Sequence, residues 1–225
     1  MNLLHKQVIR SSILGTLVLF CLLFIPAGTL NYWQGWLYFA VFMIASSIYS
    51  IYLAKNDPEL LRRRTEAGIS YEKEPAQKVI IFLLSATSMI LMILAPLDVR
   101  WGWSYVPWYI VLLGDILVLI SFYIFYLVAK VNTYAAANIR VEKGQKVITT
   151  GLYGYVRHPM YFGALFLLFG TPIALGSWWT LLLMPIFISL LIVRILNEEK
   201  LLAQNLPGYS AYQKKVTTRL IPFVW

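Results

Sequence analysis

Two short stretches of this sequence hold most of the side chains suited to binding a charged ligand. The first is GLYGYVRHPMYFG, residues 151–163. Pro159 fits the first turn of a helix, because its fixed φ suits that position and its missing N–H is not needed there; His158 then stands at the helix N-terminus. The free N–H groups and the positive dipole end attract a carboxylate or phosphate, onto which Arg157 can fork. Tyr153, Tyr155 and Tyr161 offer flat faces that stack on a purine or meet a cation. The second stretch is LLIVRILNEEK, residues 190–200. Arg194 and Glu198 are four residues apart and share a helix face. Glu198 and Glu199 can receive hydroxyls, an amine or a sulfonium. Each stretch also has a plain structural reading: tyrosines and arginines anchor helices at a bilayer surface, and Arg194 with Glu198 makes an ordinary ion pair.

The elements that must position these residues are hydrophobic helices. Of 225 residues, 60% are hydrophobic and 13% charged, with a mean hydropathy of +0.69. That is more apolar surface than a water-soluble core hides. Helices are expected at about 9–27, 34–54, 78–96 and 107–129, several of them near the roughly 20 residues a bilayer crossing requires. Two shorter apolar arms, 159–174 and 179–195, form a hairpin across ALGSWW. The first run is read as a span rather than a cleaved signal, since further spans follow it. No strand pattern is present. The fold expected is an all-α integral membrane protein with about four transmembrane helices and a C-terminal helix hairpin. Residues 1–225 are expected to form one domain, with N-terminal helices over 1–129 and both chemistry-bearing stretches within 130–225. The segments 130–163 and 194–222 build a pocket facing the cytosol.

Charge gives the orientation. With the N-terminus inside, every one of the 19 Lys and Arg residues except Arg100 falls on the cytoplasmic side, as the positive-inside rule requires. Trp33, Trp36, Trp101, Trp103, Trp108, Trp178 and Trp179 gather at the opposite turns, like an interfacial aromatic belt. The net charge of +9 is therefore a topological signal and a means of holding anionic lipid, not a nucleic-acid footprint. Cys21 stands alone, so no intrachain disulfide forms; with only His5 and His158 for imidazole ligands, no metal site is expected. Asp115 is an ionisable group in a span, Asp98 is expected to pair with Arg100, and Arg62, Arg63 and Arg64 read as topology signals.

The order and spacing of GLYGYVRHPMYFG and NEEKLL…LPGYSAYQKKVTTRLIP, over residues 130–222, resemble the isoprenylcysteine carboxyl methyltransferase and phospholipid methyltransferase superfamily of membrane enzymes. The resemblance implies a cytosol-facing pocket for S-adenosyl-L-methionine and a lipophilic, prenylated or lipid acceptor entering from the bilayer. Carried over by position, cofactor contacts fall on Gln145, Lys146, Val147, Ile148, Tyr153, His158, Pro159, Met160, Tyr161 and Glu198. An upstream contact falls near Arg140. Arg194 matches an arginine beside the substrate. For an amine acceptor, Glu199, His158 and Tyr161 are the candidate bases. The resemblance leaves open O-, N- or S-methylation, the oligomeric state, and whether the membrane is a bacterial inner membrane or the endoplasmic reticulum. An NADPH-dependent sterol-reductase-like enzyme and a non-enzymatic lipid-binding or transport protein are the competing readings.

Overall fold

The computed structural model describes residues 3–225 except 73, 137, 140, 143 and 223, with side chains from Gln7 onward. The main elements are α1 (Leu3–Ala27), α2 (Trp33–Asn56), α3 (Pro58–Thr65), α4 (Pro75–Trp101), α5 (Trp108–Ala129), α6 (Pro159–Ala174), α7 (Met184–Asn205) and α8 (Tyr209–Lys215). No strand occurs among the described residues. Proline opens four of these helices: Pro58, Pro75, Pro159 and Pro185 each occupy a first-turn position. Among the described residues, five helices are long and apolar enough to cross a membrane, and the chain is an integral membrane protein of all-helical fold. The final span is longer than its apolar stretch suggests. A short 3-10 turn at Trp179–Leu183 leads into α7, which continues past Arg194 and Glu199 to Asn205.

The tryptophan-rich end is closed by uncharged hydrogen bonds. The Tyr32 hydroxyl donates to the Leu175 carbonyl at 2.7 Å, and the Trp178 indole donates to the Tyr105 carbonyl at 3.0 Å. Asp98 is fully buried here, which corrects the expected Asp98–Arg100 pair. Its carboxylate accepts from the Ser104 amide and hydroxyl at 2.8 and 2.6 Å and from the Ser177 hydroxyl at 2.6 Å. Arg100 turns instead to the Pro26 carbonyl. Asp115 in α5 is also buried, at 4% exposure, and its carboxyl oxygens have no partner among the described residues.

The tightest seam joins α5 to α6. A Cβ added at Gly114 would stand 2.3 Å from the Ala174 amide nitrogen, and one at Gly170 would stand 2.8 Å from the Gly114 carbonyl oxygen. In a bilayer, where the hydrophobic effect does not drive helices together, such backbone contact between small residues supplies the packing energy. Further along the same seam, Gly163 faces Ile124 and Phe125. The seam fixes where α6, and with it His158, begins relative to α5. Gly170→Leu should therefore lower the thermal midpoint of the detergent-purified protein by the equivalent of about 1–3 kcal/mol or more, the usual cost of overpacking. Gly15→Ala, with nothing within 4 Å of the new Cβ, should leave that midpoint unchanged.

Candidate active site

At the end opposite the tryptophans, a cavity of about 340 Å³ lies between the 130–158 segment, the start of α6, the last turns of α7, and α8. Its polar wall is built around Tyr161 in the first turn of α6. The Tyr161 hydroxyl donates to Glu198 Oε2 at 2.6 Å and accepts from Arg194 Nε at 3.0 Å. Arg194, buried in α7, is itself held by Gln77 Oε1 at 2.9 Å and Glu72 Oε1 at 3.1 Å, both from the start of α4 and the residues just before it. The guanidinium at this depth is therefore paired with a carboxylate, as a desolvated charge must be. Glu198 and Arg194 communicate through the phenol, so the pair is not the exposed i, i+4 ion pair that spacing alone allows.

The structure brings Gln145, Lys146, Val147, Ile148, Tyr153, His158, Pro159, Met160, Tyr161 and Glu198 to this one cavity, together with Arg194. Arg140 lies outside the described residues. Glu199 does not line the cavity. One turn position from Glu198, it points behind the wall and is 5% exposed. Its Oε1 accepts from Arg157 Nε at 2.6 Å and stands 3.2 Å from His158 Nε2, while Oε2 accepts from Arg219 Nε at 3.0 Å. Both Glu199 oxygens already accept hydrogen bonds behind the wall, so the carboxylate stands away from the cavity in which a base for an amine acceptor would act. Arg157 is likewise unavailable for an external anion. Besides Glu199, it donates from Nη1 to the Val216 and Thr217 carbonyls at 2.8 and 3.0 Å.

These bonds tie the C-terminal tail onto the start of α6. The Arg157 amide donates to the Thr218 carbonyl and the His158 amide to the Arg219 carbonyl, at 3.0 and 2.9 Å. The tail, the His-Pro turn and α7 thus meet at a single carboxylate. Above it, the Tyr212 hydroxyl donates to the Tyr153 carbonyl, and the Asn132 amide donates to the Tyr153 hydroxyl at 2.6 Å. Burial pushes the Tyr153, Tyr209 and Tyr212 hydroxyls well above their ordinary values, so all three stay protonated.

Residues 109–207 match the family model of phospholipid methyltransferases, a stretch that runs from the first turn of α5 past the end of α7 and contains His158, Tyr161, Arg194 and Glu198. This segment is similar to the phospholipid methyltransferase family. That family forms one superfamily with the isoprenylcysteine carboxyl methyltransferases, and the matched segment is similar to these membrane methyltransferases. No curated protein gives a significant match. The matched segment supplies α5, α6 and α7, but the cavity also draws on residues outside it. Arg64, Tyr209 and Tyr212 line the wall, and Glu72 and Gln77 hold Arg194.

Several of these were hidden in the sequence. Arg63 and Arg64 look like charges on a membrane surface, yet Arg63 is buried and donates to the Thr133 carbonyl at 2.7 Å, and Arg64 donates to the Ala135 carbonyl at 3.2 Å. Asn132 and Asn138 sit in a loop without a motif. The clasp at Glu199 generates a prediction that a catalytic role would not. Glu199→Gln should leave the Arg157 and Arg219 charges without their carboxylate, a change of the kind that costs about 3–5 kcal/mol when buried charges are orphaned. Hydrogen exchange across 209–219 should rise, and that tail should become sensitive to limited proteolysis. Glu198→Gln should leave both readouts unchanged.

Proposed function

We propose that this protein transfers a methyl group from S-adenosyl-L-methionine to a lipophilic acceptor that reaches the cavity from the bilayer, with both chain termini on the cytoplasmic side. The observation that carries the reading is the convergence, in a segment similar to the phospholipid methyltransferase family, of Glu198, Tyr161, His158 and the 145–148 run on one cavity. The wall suits the cofactor's chemistry. Val147, Ile148, Leu202 and Leu206 offer an apolar slot for a purine, and Tyr153 and Tyr161 offer faces for a positive sulfur. Glu198 suits a ribose hydroxyl pair or the ammonium. Two further polar atoms in the wall, Asn138 Oδ1 and the Tyr209 hydroxyl, are buried without a partner among the described residues. Because Asn138 Nδ2 donates to the Tyr71 carbonyl at 3.1 Å, the amide's orientation is set, and its oxygen is the half left over for a ligand N–H.

When bound, S-adenosylmethionine supplies a methyl group activated by the adjacent sulfonium. The protein's task is alignment and exclusion of water. Arg194 fixes the Tyr161 phenol from one side and Glu198 from the other, so that the phenol cannot rotate away from the cavity wall. An anionic acceptor needs no base. For an amine acceptor, Tyr161 can take the acceptor's proton at its hydroxyl oxygen while passing its own to Glu198 Oε2, along the 2.6 Å bond already present.

Thermal stability in detergent tests the reading. S-adenosylhomocysteine at about 100 times its dissociation constant should stabilise the wild type by about 2.7 kcal/mol, whereas NADPH should leave it unchanged. Glu198→Gln should lose most of that stabilisation while remaining folded. A shift with NADPH alone, or an unaltered S-adenosylhomocysteine shift in Glu198→Gln, would overturn the reading or this residue's part in it. Tyr161→Phe, which severs the link between Arg194 and Glu198, should lower the methylation rate more than it lowers cofactor affinity.

A further inference from the structure

Among the described residues, three arginines line the main cavity. Arg157 is paired with Glu199 and Arg194 with Glu72, but Arg64 has no carboxylate partner among the described residues. Its Nη1 donates to the Ala135 carbonyl at 3.2 Å and lies 3.7 Å from the Met160 sulfur, and the guanidinium sits over the Tyr49 ring at 5.5 Å. A guanidinium offers five N–H donors, so most of its capacity is unspent.

Arg64 also belongs to a second cavity. About 310 Å³ of space lies between α1, α2 and α3, where Arg64 and Thr65 meet Ser11, Ser12, Ser46 and Ser50. Tyr49 lines this space too; it is 8% exposed, and its hydroxyl has no partner among the described residues. Beyond Ser12, Ser46 and Ser50 the space continues between α1 and α2 as a groove of about 240 Å³ reaching Leu19 and Phe42. Five of the groove's nine lining residues carry hydroxyls, but those of Thr16 and Ser46 turn back onto the Ser12 and Met43 carbonyls, and Leu19, Phe42 and Met43 supply apolar surface at its deep end. A cation and hydroxyls at one end and apolar walls at membrane depth match the profile of an amphiphile. A helix of a second copy would set apolar side chains against Arg64 and leave its charge unmatched.

We propose that this groove docks an anionic amphiphile from the bilayer, its phosphate or carboxylate on Arg64 and its chain between α1 and α2. Because Arg64 stands in the wall shared with the main cavity, the docked molecule is the acceptor on its way to methyl transfer; this last step rests on the methyltransferase reading above. A terminal phosphomonoester has one more unblocked oxygen and more negative charge than a phosphodiester capped by choline, and one additional charge-assisted hydrogen bond to Arg64 is sufficient to give about tenfold preference for the anionic headgroup.

The full chain, reconstituted in nanodiscs, is photolabelled with phosphatidic acid or phosphatidylcholine carrying the same diazirine acyl chain. Phosphatidic acid should label α1 around 12–19 and α2 around 42–50 about tenfold more than phosphatidylcholine, the factor set by that bond. Arg64→Gln should bring the two lipids level, and Arg64→Lys should restore part of the preference. Ser46→Trp, which fills the groove away from the main cavity, should lower labelling while the S-adenosylhomocysteine shift persists. Equal labelling by the two lipids, labels elsewhere on the chain, or a preference untouched by Arg64→Gln would overturn the proposal. So would Arg64→Gln abolishing the S-adenosylhomocysteine shift while selective labelling survives, since Arg64 would then serve the cofactor. Selective labelling in a wild type that S-adenosylhomocysteine fails to stabilise would support the docking site, overturn the methyltransferase reading, and remove the acceptor clause with it.

Discussion

The polar end of this bundle depends on one buried carboxylate. Glu199 gathers two guanidinium groups and an imidazole from two separate segments, the His-Pro turn and the tail, and each partner is placed by something other than Glu199 as well. Arg157 and His158 are strapped through their backbone amides to the tail, and Arg219 lies over the Trp225 ring. Taking any of these charges out of water is expensive, and only their mutual satisfaction makes the arrangement tolerable at the edge of a membrane. The consequence is geometric. Glu198, its neighbour in sequence, is set about a quarter turn away on α7, and so the cavity acquires its acidic group.

The same principle of matched burial organises the rest of the molecule, but the two ends solve it differently. At the tryptophan-rich end, Asp98 is satisfied by serine hydroxyls and an amide, and tyrosine and tryptophan side chains bind carbonyls. At the other end, charge meets charge, through Arg194 with Glu72 and Arg157 with Glu199. One end is a sealed cap, and the other is an electrostatic frame around an opening.

The helices were largely legible because bilayer thickness and residue hydropathy are local quantities, and the prolines that open α3, α4, α6 and α7 mark their own positions. The cavity residues were legible through the spacing of two motifs. Which of Glu198 and Glu199 faces the opening was not legible, because adjacent residues on a helix diverge by about a quarter turn and only the tail's path decides between the two carboxylates. Arg63 and Arg64 were misread for a related reason: positive charge beside a span always satisfies the topology rule, so the rule cannot distinguish an idle arginine from one that binds a distant loop. Glu72 carried no signal in its own neighbourhood, since its partner lies 122 residues away in the chain.

Backbone contact at Gly114 and Gly170 divides the molecule into a stiff half and a yielding half. Where two helices touch main chain to main chain, there are no side chains left to re-pack, and α5 and α6 must move as one slab. Any change of shape needed to admit a bulkier guest therefore falls to the α1–α2 hairpin, whose serine-lined flank holds open space. Alignment of the reacting groups and tolerance of the guest's size are then carried by different helices, so that one can drift over evolutionary time while the other stays constant.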